Sequence, residues 1–396
     1  MESPVPSLSR RSREIPAFLA MDVLDRARAL ERQGRRIIHL EVGDPDFPTP
    51  PPIVEAGRRA LAEGHTHYTE SMGIRPLREA IARHYHRRYG VDVSPERVLV
   101  TSGTSPALAM VMQAILDPGD EALVPDPGYA CYANFVRAAG GVPVAVDAGP
   151  ASGYRLTVEA LEAARTPRTR AVLVNSPSNP TGVVYGPEAL QPLVEWAERH
   201  GIWLISDEIY HGLSETGPEP SALEYGPRAV VVDGCSKRYA MTGWRLGWCV
   251  APVELVRPLQ KLQQNLMVCA PAASQAAAVA ALTEGEPYVA AMARAYAERR
   301  RILTRGLEAL GLPVAGRPQG AFYVLADVRR ITSDSVGLAF ELLERTGVAL
   351  TPGVDFGQRG EGHLRLSCAA SPQAIQEGLR LLGEWLRQRG ERPAAG

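Results

Sequence analysis

The sequence predicts an α/β fold, with a mostly parallel, doubly wound sheet in a large domain and a smaller α+β domain beside it. From about residue 97 onward, short apolar runs rich in β-branched residues alternate with helical stretches, as in parallel strands covered on both faces. After about residue 283 the texture changes to a long helix, two strand-like pieces and a last helix. The length of 396 residues, with 45% hydrophobic side chains, suffices for one large domain or two ordinary ones, each with its own core.

Strands are predicted at 98–101, 122–124, 142–146, 171–175, 203–206, 229–233 and 246–251, with helices at 106–116, 129–139 and 187–200 between them. The first helix is expected to use Ser105 as its N-cap and Pro106 as its first residue, and to stop at Asp117-Pro118-Gly119. Open sheets of this kind bind ligands at the carboxyl ends of their strands. The second region reads as a helix at 288–310, strands at 322–326 and 363–367, and a helix at 372–389. Near the start, a helix at 18–33 and an extended piece at 37–42 are expected to pack with that region. The division is therefore 1–46 for an N-terminal arm and small-domain segment, 47–282 for the large domain and 283–396 for the small one.

A net charge of −1 argues against nucleic acid as the main partner. The five cysteines, at 131, 235, 249, 269 and 368, form no C-x-x-C pair, which points away from a zinc ribbon or disulfide framework and toward a reducing, cytoplasmic setting. The first 18 residues contain no apolar stretch of signal-peptide length, so an unanchored protein is expected. Of the 43 basic residues only Lys237 and Lys261 are lysines, and neither follows a glycine, which removes a P-loop. No G-x-G-x-x-G follows a strand either.

Four strand ends carry candidate chemistry. Lys237, in Gly234-Cys235-Ser236-Lys237-Arg238, follows an apolar strand and can serve as an amine nucleophile toward a carbonyl, with Arg238 and Arg245 expected to depress its pKa. A loop lysine of this kind usually only snorkels, but rarity raises its weight here. Ser206-Asp207-Glu208-Ile209-Tyr210 puts a carboxylate and a phenol at another strand end, where Asp207 could otherwise be a simple cap. Asn175 to Gly182 is a proline-stiffened turn containing Asn179, readable as ordinary turn chemistry. Ser102-Gly103-Thr104-Ser105-Pro106 joins a strand to a helix N-terminus whose N–H groups could cradle a phosphate.

Taken together, GDPDFPTP (43–50), Tyr68 with SMGIRPLREAI (71–81), SGTSPAL (102–108), NSPSNPTG (175–182), SDEIY (206–210), SKRYAMTGWRLG (236–247) and LRLS (364–367) carry a resemblance. The chain resembles the pyridoxal-phosphate-dependent class I/II aminotransferases of the aspartate aminotransferase superfamily, fold type I, from about residue 15 to 390. The resemblance implies pyridoxal 5'-phosphate held on Lys237, which also moves the proton between substrate Cα and cofactor C4′. It implies Asp207 on the pyridine nitrogen, Tyr210 and Asn179 on the phenolic oxygen, and Tyr129 stacked on the ring. For the phosphate it implies Gly103, Thr104, Ser105, Ser236 and Arg245, with Tyr68 from the partner of a homodimer. Arg365 would take the substrate α-carboxylate in a bidentate pair, with Gly43 and Asn179 beside it, although in so arginine-rich a chain an exposed strand arginine is the alternative.

The implied activity is transfer of an α-amino group from an L-amino acid to a 2-oxo acid by a ping-pong mechanism, and an aspartate aminotransferase-like pairing with 2-oxoglutarate is one option. Dicarboxylate-specific relatives place a basic group on the distal carboxylate, whereas 101–110 contains neither Lys nor Arg. Alanine, aromatic, branched-chain and diaminopimelate-type donors stay open. A carbon–sulfur β-lyase would keep every motif; a transcription regulator would need a DNA-binding domain, for which the leader before residue 15 is too short. His84 and His86 flank Tyr85 on a helix where i and i+2 face apart, so no metal pair is expected. The segment 298–305 reads as a solvated helix face.

Overall fold

In the computed structural model, which describes residues 6–217 and 219–390, the strands run in chain order as β1 (Ile38–His39), β2 (Val98–Thr101), β3 (Glu121–Asp126), β4 (Val142–Asp147), β5 (Thr169–Asn175), β6 (Trp203–Asp207), β7 (Val230–Gly234), β8 (Gly247–Val250), β9 (Tyr323–Asp327), β10 (Val348–Ala349), β11 (Thr351–Pro352) and β12 (His363–Ser367). Strands β2, β7 and β8 are buried at every position, which is why their sequences read as continuous apolar runs and not as alternation. They belong to a seven-stranded sheet of order β2-β8-β7-β6-β5-β3-β4, as the sequence predicts for the large domain. All neighbours in it are parallel except β8, which runs antiparallel to both β7 and β2.

That register positions the chemistry. Gly247, at the start of β8, pairs with Thr101 on one side and Gly234 on the other, while Asn175 pairs with Asp207. The ends of β2, β7, β6 and β5, each followed by one of the four candidate clusters, therefore lie along a single edge of the sheet. Close packing fixes the edge: a Cβ on Gly247 would come within 2.8 Å of the Thr104 nitrogen, and one on Gly234 within 2.9 Å of the Gly247 Cα.

A second, antiparallel sheet of order β11-β12-β9 has β12 at its centre. Near the start of the chain, β1 pairs in parallel with β10, Ile38 opposite Val348, so the N-terminal segment packs with the C-terminal region as expected.

The helix at Pro187–His200 has the predicted bounds, opening on a proline and closing on Gly201 in the left-handed region. The helix predicted at 106–116 instead spans Thr104–Ile115 and is capped by Gly103, whose φ of 104° turns the chain sharply off β2. Ser105 is consequently a helical residue and not the N-cap. The segment 298–305 is also not simply a solvated face, because Arg299 and Arg300 are buried where the Glu286–Ala309 helix packs on β9 and the Pro372–Gln388 helix. Arg299 pairs with Asp46 at 2.6 Å and lies over Phe47, and Arg300 donates to the carbonyls of Ala321 and Gln319, its Nε staying buried without a partner. His84 is buried and His86 exposed, facing apart as the spacing implies. Among the described residues, no helix is long and apolar enough to cross a membrane.

Candidate active site

Between the carboxyl edge of the large sheet and the face of the small one lies a cavity of about 200 Å³. Lys237 reaches into it from the short helix Cys235–Arg238 that follows β7, and its Nζ donates to the Gly43 carbonyl at 2.7 Å. Its pKa is lowered from the ordinary lysine value to about 8, mainly by burial, with Arg365 and Arg245 adding to the effect against Asp44 and Asp207. The expected contribution of Arg238 is not found. That guanidinium turns away into the core to pair with Glu286 at 2.7 Å and to meet the His211 carbonyl.

Asp207 ends β6 and is buried, with its Oδ2 accepting from the Tyr132 hydroxyl at 2.8 Å and its Oδ1 from the Ile209 N–H at 3.2 Å. Burial raises its pKa to about 6, opposed by those two donors and by Lys237. The turn after β5 is locked onto the same strand end, since the Asn175 side chain donates to the Asp207 carbonyl and accepts from the Asn179 N–H. Tyr210 is buried, with its hydroxyl 2.9 Å from that of Tyr323.

Arg365 comes from the centre of the small sheet and is 2% exposed, which disposes of the exposed-strand alternative. Its Nη1 donates to Asn179 Oδ1 at 3.0 Å, and its Nη2 donates to the Glu41 carbonyl and to Thr351 Oγ1. The guanidinium lies between the rings of Tyr323 and Phe356, with its Nε buried and unpartnered. Arg365 lines the cavity, so it puts a buried positive charge beside the space where an anionic ligand would bind.

Thr104, Ser105, Ser236 and Arg245 line the other end. Gly103 matters by what it lacks, since a Cβ there would sit 2.6 Å from Arg245 Nη2. The helix it opens has no side-chain cap, leaving its N-terminal dipole to a ligand. Arg245 itself has φ 55°, a left-handed backbone uncommon for arginine, and its Nη1 donates to the Thr242 carbonyl at 3.0 Å. Tyr129 lines the cavity and makes edge contacts with Phe18 and Tyr132. Gly43 can only be glycine, because a Cβ would fall 1.6 Å from the Tyr323 hydroxyl. Tyr68 alone stands apart, 82% exposed and away from this cavity.

Sequence reasoning missed Tyr132, Tyr323 and Asn175. The position of Asn175 at the end of an apolar strand was an available signal; the two tyrosines sit in ordinary helix and strand patterns.

Residues 35–382 match the sequence profile of the family described as aminotransferase class I and II. The chain is 41% identical to the (5-formylfuran-3-yl)methyl phosphate transaminase of Methanocaldococcus jannaschii, over 96% of this chain and 100% of that one. It is 42% identical to the aspartate/prephenate aminotransferase of Thermus thermophilus, over 95% and 99%. The structure of the aspartate aminotransferase from Thermus thermophilus with maleate superposes with a TM-score of 0.92 at 41% identity, covering 96% of this chain and 100% of that one.

Proposed function

Because this chain belongs to the class I and II aminotransferases, an enzyme family that exchanges the α-amino group of one acid for the oxo oxygen of another, we propose that the cavity around Lys237 is where that exchange takes place. The family is known to use pyridoxal 5'-phosphate, and the residues present fit that group. A buried carboxylate, Asp207, suits its ring nitrogen, and an uncapped helix N-terminus with Ser236 and Arg245 suits its phosphate. When bound, the cofactor supplies a carbonyl that condenses with amines and a protonated ring that draws electron density from the substrate Cα.

The assignments follow from what each residue can do. Lys237 would hold the cofactor through its amine and, when that amine is free, would move the proton at the substrate Cα. Burial helps by keeping a useful fraction of that amine neutral near pH 8. Asp207 stays ionised against the ring nitrogen, oriented by Tyr132 and the Ile209 N–H. Tyr210 and Asn179 would hydrogen-bond the phenolic oxygen, and Tyr129 would pack against the ring. Thr104, Ser105, the Gly103 turn, Ser236 and Arg245 hold the phosphate. Arg365 takes the substrate α-carboxylate, with Asn179 and the Gly43 backbone beside it.

The single observation that carries this reading is that the Lys237 amine, the Asp207 carboxylate and the Arg365 guanidinium line one cavity. The relatives act in amino-group transfer, which does not favour the β-lyase alternative. We further assign a homodimer in which Tyr68 of each subunit reaches the other's phosphate site, the domain division 1–46, 47–282 and 283–396, and a cytoplasmic location; the exposure of Tyr68 supports the first.

Borohydride reduction of the holoenzyme, followed by peptide mapping, tests the core of the proposal. The cofactor should be fixed to Lys237, one of only two lysines, and the label should be lost in Lys237→Ala. A label on Lys261, or on the N-terminal amine alone, overturns it.

A further inference from the structure

Outside the cavity, the backbone that holds Arg365 is itself held by a histidine between two carboxylates. The Glu41 carbonyl accepts from the Arg365 guanidinium and the Thr351 hydroxyl, while the Glu41 side chain is fully buried. Its Oε1 lies 2.7 Å from His39 Nδ1, and its Oε2 has no partner among the described residues. A buried carboxylate with so few donors depends heavily on the one it has.

His39 and Glu41, two apart on an extended segment, share a face, and the second ring nitrogen, Nε2, lies 3.1 Å from Glu31 Oε1 on the last turn of the helix Leu19–Arg32. Both nitrogens therefore face oxygens of carboxylates. A neutral imidazole has one N–H and would turn a lone pair toward one of them; only the ring with both protons satisfies both. In keeping with this, the His39 pKa is raised above 6.5, chiefly by the hydrogen bond to Glu41, against burial, with Glu31 adding to the effect.

The other charges around the pair have partners of their own. On the same helix, Arg28 donates to Glu31 Oε2 at 2.8 Å, and Arg26 pairs, as does Arg35, with Glu344 of the helix Ser335–Thr346. The helix Pro372–Gln388 packs on Ile38 and Leu40, the opposite face of the segment, and its Arg380 binds Glu377 and Glu384, with Arg36 acting on Glu377. Asp355 sits at the far end of Leu19–Arg32, on the Leu19 and Ala20 N–H groups.

We propose that His39, carrying both ring protons, is a positioning residue for substrate binding: its Nδ1–H holds the Glu41 carboxylate and with it the carbonyl on which Arg365 rests, and its Nε2–H ties that segment to the helix whose Ala20 and Met21 line the cavity. This rests on the assignment of Arg365 to the substrate α-carboxylate. Because the ring's pKa is raised by folding, the hold is complete below 6.5 and is lost as the pH rises through the raised value, where one of the two N–H groups goes.

Two variants test this, His39→Leu and the milder His39→Gln, which keeps an N–H donor. Half-reactions of the reconstituted holoenzyme are followed by cofactor absorbance, using whichever standard L-amino acid reacts fastest with the parent protein. At about pH 6.5, His39→Leu should raise the half-saturating amino-acid concentration at least roughly fivefold and His39→Gln less, with the saturating rate and cofactor affinity within about twofold of the parent. The factor should shrink at about pH 9.5. Thermal unfolding of the apoenzymes, which involves no turnover, should show the parent's advantage over each variant largest below pH 6.5 and falling as the pH rises. Unchanged half-saturation in both variants, a factor or stability difference equal at every pH, or an equal loss of cofactor affinity overturns the proposal. If Arg365→Lys weakens amino-acid binding while the His39 variants do not, this proposal fails alone; if Arg365→Lys also binds normally, the assignment of Arg365 fails with it.

Discussion

The Tyr132 hydroxyl is the most direct handle on the cofactor site that leaves its charged groups in place. It donates to Asp207 Oδ2 at 2.8 Å, one of two protein donors on a carboxylate that burial has already pushed up to about 6. Tyr132→Phe keeps the ring and its packing and removes only that donor. A hydrogen bond to a charged group is worth about 1.5–3 kcal/mol, and 1.36 kcal/mol corresponds to one pH unit, so the Asp207 pKa should rise by about one to two units. The sign is definite, because the lost bond stabilised the ionised form only. Cofactor capture through the ring nitrogen needs that form, so the acid limb of pyridoxal phosphate binding to the apoenzyme, expected near pH 6 in the parent protein, should move to about pH 7–8 in the variant. Well above that limb the two proteins should bind alike. Fluorescence titration of apoenzyme with cofactor across pH 5 to 9 reads both quantities. An acid limb that does not move would show that Tyr132 does not govern Asp207, and equal weakening at every pH would mean the substitution acts through packing.

Asp207→Ala should still bind cofactor but lose at least roughly 10²-fold in kcat, since no anion then holds the proton on the ring nitrogen; steady-state kinetics check it, and near-normal turnover would refute the role. Arg365→Lys should weaken amino-acid binding much more than cofactor binding, because an ammonium cannot reproduce the guanidinium fork, and absorbance titrations of each ligand separate the two effects. A heterodimer of Tyr68→Phe and Lys237→Ala chains should regain activity toward one intact site per dimer, whereas recovery of nothing in verified heterodimers would return Tyr68 to the role of a surface residue.

How much of this was legible in the sequence depended on how far apart the interacting residues lie. Lys237 stood out because lysine is nearly absent and because it follows an apolar strand. Strand ends are where an open sheet presents its ligands, so Asp207, Asn179 and the turn at Gly103 could be singled out from local pattern alone. The helix at Ala272–Glu284 was not legible, since it is alanine-rich and buried on several sides and so has no polar face to give a 3.6-residue period. Arg365 stands out only through the LRLS motif of the resemblance, and Arg299 and Arg300 look like any surface arginines until partners distant in sequence, Asp46 and Ala321, are brought to them. The same holds for Tyr132 and Tyr323, whose hydroxyls are spoken for by Asp207 and Tyr210 across 75 and 113 residues.

Gly43 shows what such long-range contacts add to the chemistry. Nothing around it in the sequence demands glycine by turn logic, yet its missing Cβ makes room for the Tyr323 hydroxyl. Its carbonyl accepts from Lys237, and two residues earlier the Glu41 carbonyl accepts from Arg365. The lysine and the arginine are thus bound to one short segment, which β1 ties to β10 and whose Glu41 carbonyl also receives the Thr351 hydroxyl. On the proposed reading, an α-carboxylate arriving at Arg365 competes with Glu41, Thr351 and Asn179 for the guanidinium.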